Sequence, residues 1–122
     1  MHYASNAYAK IANETAAPRE LEAKLLLKAA AKLKAVYDSW KTISRENLDE
    51  AVTYNRRLWT VLIDALNRHD NRLPSEVRDN LLRLGVYILA ESYSLTTKPN
   101  PEHLLNIIKI NRGIATGLRS KT

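Results

Sequence analysis

Apolar residues return every three or four positions in four separate runs from Pro18 onward. That spacing predicts amphipathic helices over about 18–42, 47–69, 74–95 and 101–118. Prolines set the boundaries. Pro18 and Pro101 suit a first helical turn, where a missing N–H breaks no bond. Leu73-Pro74 opens the third run, and Lys98-Pro99-Asn100-Pro101 stops it. The second run has two candidate caps: Ser44 with Asn47 downstream, or Asn47 with Glu50 three residues on. No stretch alternates apolar and polar residues as a half-buried strand does. The expected architecture is all-α: a compact bundle of four main helices plus a short N-terminal helix, in a single domain over residues 1–122.

Two of the runs carry the same irregularity. In the second, Leu48, Val52, Asn55, Trp59, Leu62 and Leu66 form the stripe, with an amide in the middle. In the last, Leu104, Ile107, Ile108, Asn111, Ile114, Ala115 and Leu118 do the same around Asn111. Arg56 and Arg112 follow at the stripe edges. A buried amide without a partner is costly. Asn55 and Asn111 are therefore read as a structural polar core that fixes helix register, rather than as recognition residues.

The third run has two apolar stripes. Val77, Leu81, Leu84, Gly85 and Ile88 make one, and Leu82, Val86, Leu89 and Tyr93 lie beside it. A helix apolar over so much of its circumference is expected to be buried on more than one side, as the central helix of the bundle. Gly85 is expected to permit a close helix contact. Ahead of the first run, Tyr3, Ala4, Ala7, Tyr8 and Ile11 keep helical spacing. Residues 1–16 are read as a segment that either folds back as a cap or swings as a mobile arm.

Composition narrows the chemistry. The chain has no cysteine, which excludes a disulfide frame, a thiol nucleophile and a cysteine metal site. His2, His69 and His103 form no ligand pair, and no glycine-rich phosphate loop or nucleophile elbow occurs. An enzyme, a cofactor and a metal are not expected. With neither a signal-like segment nor a membrane-length apolar run, the chain reads as soluble and cytoplasmic. The net charge of +6 invites nucleic acid, but acids interleave with the bases. Lys24, Lys28 and Lys32 do line up on the first helix, where a solvated face is the simpler reading than a phosphate site.

Three segments in order carry a family resemblance. Thr15-Ala-Ala-Pro18-Arg19-Glu20-Leu21-Glu22 is similar to a T-x-x-P-R-E-x-E segment. Asn55-Arg56-Arg57-Leu58-Trp59 matches an N-x-x-L-W core, followed by a turn over Asp70 to Pro74. Ile110-Asn111-Arg112-Gly113-Ile114 with Gly117-Leu118 is similar to a closing I-N-x-x-I-x-x-G-L helix. Together they resemble the FlaF family of flagellar biosynthesis regulators of alphaproteobacteria. The chain departs from that pattern in lacking phenylalanine and in a first main helix rich in Ala and Lys. The resemblance implies a non-enzymatic protein that binds flagellin before secretion and works alongside FlbT, a regulator of flagellin messenger RNA.

Flagellin ends in amphipathic helices, which a groove of surplus apolar helix surface would cover. The expected partner-binding residues are Arg56, Trp59, Leu89, Tyr93, Leu105, Ile108 and Arg112, in a groove built by the third and fourth main helices over the Asn55 to Trp59 region. The alternative is a post-transcriptional regulator that contacts flagellin messenger RNA directly or through FlbT. No helix-turn-helix or aromatic-basic platform favours direct contact.

Overall fold

A computed structural model of the chain describes residues 18–120. Four helices are present: α1 (Pro18–Asp38), α2 (Arg45–Leu66), α3 (Ser75–Thr97) and α4 (Pro101–Ser120). No strand occurs among the described residues. The expected N-terminal helix and the cap-or-arm reading of 1–16 lie outside them.

The helices stand in a ring in which each packs on two others: α1 on α2 and α4, and α3 on α2 and α4. The α1–α4 pair is the most extensive. Small side chains explain it, since Ala23, Ala30 and Ala115 are buried and let two backbones approach. The core between the helices is filled by Leu26, Leu33, Trp59, Ile88, Leu95 and Leu104 with their neighbours.

Local side-chain chemistry sets the helix ends. α1 stops at Asp38, four residues short of the expected end at 42, where the Ser39 hydroxyl donates to Ala35 O at 2.8 Å and its N–H bonds Ala35 O and Val36 O. α2 begins two residues early because Ser44 is the cap: its Oγ accepts the Asn47 N–H at 3.0 Å. It also ends early, at Leu66 rather than 69. There Asn71 closes the turn, donating to Ala65 O and accepting from Leu73 N–H, both at 3.0 Å. Asn100 starts α4 by accepting the Glu102 N–H at 2.9 Å.

α3 is not the central helix. Gly85, Ile88 and Leu95 face the bundle, while Val86 and Tyr93 are 67% and 69% exposed. Each helix of a four-membered ring keeps one outward side, and no fifth helix of the described structure covers this one. Gly85 does mark a tight approach. A Cβ there would lie 2.8 Å from Ile63 Cδ1, closer than side chains sit.

Candidate functional site

A sealed polar centre lies where α1, α2 and α4 meet. Asn55 and Asn111 are buried completely. Asn111 Nδ2 donates to Asn55 Oδ1 at 2.7 Å and, more weakly, to Leu26 O at 3.5 Å. Its Oδ1 accepts Trp59 Nε1–H at 3.0 Å. The indole can only donate, so it orients the whole chain of bonds. Asn55 Nδ2 is left without a partner among the described residues. The contacts span the diagonal of the bundle, from α2 to α4.

A second polar cluster joins α3 to α4. Glu91 Oε1 accepts from Tyr87 OH at 2.8 Å and from Asn106 Nδ2 at 2.7 Å, and Oε2 lies 2.6 Å from His103 Nδ1. Burial pushes the Glu91 carboxyl up. The hydrogen bonds from Asn106, Tyr87 and His103, with the charge of His103, outweigh burial and hold it below its ordinary value. Tyr87 is raised, first by its bond to Glu91.

Two apolar features face outward. The first is the α3 stripe of Leu82, Val86, Leu89 and Tyr93, in which Val86 and Tyr93 are exposed and the two leucines half-buried. The second is a cleft of about 330 Å³ at one end of the bundle, walled by Leu26, Trp59, Leu62, Leu73, Ile114 and Leu118. Arg19 and Glu22 of α1 also line it, and burial raises the Glu22 carboxyl against the opposing effect of Arg19.

The expected partner-binding residues fall into three groups. Trp59 and Ile108 are buried at 1% and 3% exposure; Trp59 forms the cleft wall from within the core. Arg56, Leu89 and Tyr93 share the outer side of the α2–α3 pair. Ile63 faces Gly85, and Arg45 donates to Thr96 O, so the two helices run antiparallel and Arg56 stands about level with the Leu89 turn. Leu105 and Arg112 lie elsewhere. α4 meets α3 through His103 and Asn106, and Leu105 is offset from His103 by about 200° around the helix. The third and fourth main helices thus do not bring all seven residues into one groove.

The Glu91 cluster escaped the sequence reading. Tyr87 and Glu91 are four apart on one helix, but their partners come from across the proline-bounded turn, and His103 alone looks like a helix-end histidine. The lysine stripe has a structural use: Lys28 and Lys32 place Nζ 5.7 and 5.0 Å from the Tyr54 ring centre, bridging α1 to α2. Among the described residues no group of three His, Asp or Glu could hold a metal ion, and no helix is long and apolar enough to cross a membrane.

The model of one family, "Flagellar protein FlaF", matches residues 4–118. The chain belongs to the FlaF family. No curated protein and no solved structure matches it. The match takes in all three segments of the resemblance, including both Asn-Arg pairs, so the polar centre of the bundle sits wholly within the family's span. The family description speaks of a flagellar protein and names no reaction.

Proposed function

We propose that this FlaF-family protein binds flagellin in the cytoplasm and supports its synthesis and secretion, holding an amphipathic helix of flagellin on the outer side of α3. One observation carries the reading: Leu82, Val86, Leu89 and Tyr93 form an apolar stripe whose Val86 and Tyr93 no helix of the described bundle covers. Its spacing of four, three and four is the heptad seam that a second helix packs into. It runs about 16 Å along the axis, three turns of a partner helix. Membership in a family of flagellar proteins supports a flagellar partner. Flagellin's terminal helices are apolar on one side and need cover until the filament takes them up. Arg56 stands at the rim, where a charge orients a partner more than it tightens the complex.

The test is capture of flagellin by the wild type and by Val86→Asp and Tyr93→Asp. Both positions are exposed, so stability should change by less than about 0.5 kcal/mol. Capture should fall at least tenfold in each. Undiminished capture by the folded variants removes the stripe from the site. Leu105→Asp, on the other flank of α4, should reduce capture less than Tyr93→Asp.

A further inference from the structure

The α3 stripe has an arginine on each of its two edges. With Gly85, which meets Ile63 of α2, as the origin, Leu82, Val86, Leu89 and Tyr93 lie about 40–100° around α3 and Arg83 about 160°. Tyr87 and Glu91, on the side that meets α4, follow at about 200–240°. The stripe therefore runs beside α2, and Arg83 closes its far edge. Arg56 stands at the near edge, on α2. Both arginines are exposed. Among the described residues Arg56 makes no ion pair, and Arg83 bonds the neutral Asn80 at 2.9 Å. The acids of the neighbourhood leave them unanswered. Asp79 lies 4.0 Å from Arg78, Asp49 lies 3.1 Å from Arg45, and Glu91 is turned towards α4. Asp64 is offset from Ile63 by about 100° and points away from α3.

We propose that the helix seated on the α3 stripe carries a carboxylate on each flank of its apolar face, one for Arg56 and one for Arg83. This rests on the reading above that the stripe receives a helix of flagellin, and it names the chemistry that selects that helix. An apolar seam edged by two unanswered cations attracts acidic flanks and repels basic ones. The spacing is specific. Arg56 stands level with the Leu89 turn, and Arg83 lies six residues before Leu89, about 9 Å along the axis. The two acids are thus about six residues apart on opposite sides of the partner's seam, close to the step of about five between successive g and e positions of a heptad. A guanidinium grips a carboxylate as a planar fork, so the two pairs select register and direction. Both pairs are exposed, so their effect on affinity is modest and falls with salt.

Two synthetic peptides with one leucine heptad seam are the probes, flanked at g and e by Glu in the first and by Lys in the second. At low salt the wild type should bind the Glu-flanked peptide at least about tenfold tighter in fluorescence anisotropy, and high salt should close the gap. Arg56→Glu with Arg83→Glu should reverse the preference. Lys24→Glu with Lys41→Glu makes the same change in net charge at exposed positions in and beyond α1, the helix diagonal to α3, and should keep it. Equal affinity for the two peptides, binding of neither, or a preference that survives in the arginine variant overturns the proposal. Flagellin separates this inference from the one beneath it. Capture should fall severalfold in the arginine variant. If Val86→Asp lowers capture and the arginine variant does not, the flank charges fail and the stripe stands. If neither lowers it, the stripe itself fails.

Discussion

The molecule holds its helices together with two polar clusters of opposite character. The Asn55–Asn111–Trp59 centre is neutral and sealed in the core, with bonds of 2.7 and 3.0 Å. The Glu91–His103–Asn106–Tyr87 cluster is ionisable and reaches the surface through Tyr87, which is 44% exposed. The first ties α4 diagonally to α2, while the second ties it to its neighbour α3. A sealed amide has no water to fall back on, so it acts on stability at every pH. A carboxylate near the surface contributes through its charge, and its contribution changes when it takes a proton.

The largest effect expected from this contrast is at Asn111. Asn111→Leu leaves both Trp59 Nε1 and Asn55 without their partner and should cost about 2–4 kcal/mol in urea unfolding. A cost under about 1 kcal/mol would show that the centre relaxes around the loss. Glu91→Ala should come next, at about 1–2 kcal/mol near neutral pH, because three donors lose their acceptor.

The pH dependence sharpens the difference. The folded Glu91 titrates below its ordinary value of 4.5, so its charged form stabilises the fold. That contribution is present above pH 4.5 and fades as pH falls through the lower folded value. Glu91→Gln removes this dependence. The stability gap between wild type and Glu91→Gln should narrow as pH drops from 6 towards 3, whereas the gap between wild type and Asn111→Leu should hold constant. A Glu91→Gln gap that does not move with pH would place the two clusters in the same class.

The smallest effect is expected at Asn55. Asn55→Leu removes the acceptor for Asn111, but it also removes an Nδ2 that has no partner among the described residues. The two changes offset, for a net cost of about 0–1 kcal/mol. Unfolding of the two Asn variants side by side checks the order. Equal costs would mean that the Asn55 amide carries more than its one bond.

The four main helices, their order and the buried stripes of α2 and α4 were legible along the chain, because periodicity and proline are local signals. Pro18, Pro74 and Pro101 bracket the helices, and Asn55 and Asn111 stand out in their stripes. Helix ends were less legible. Ser39 and Asn71 act through side-chain bonds to backbone, and these compete with continued helix by about a bond's worth of energy. The outward faces were harder still: that Leu89 and Tyr93 lie on a different side of the bundle from Leu105 and Arg112 depends on which side of α4 meets α3.

The chain alone thus settled that four amphipathic helices form and that each of two carries a central amide to be satisfied. Only the packed bundle decided that the two amides, from helices on opposite corners, bond each other directly, with Trp59 donating to Asn111 and Asn55 Nδ2 left without a partner among the described residues. It also left the second stripe of α3 outside and gave the centre to the α1–α4 pair. The physical reason is that period and propensity act within a few residues. Which apolar face is covered depends on how closely backbones can approach, and buried alanines on α1 and α4 win that contest over the larger side chains of α3.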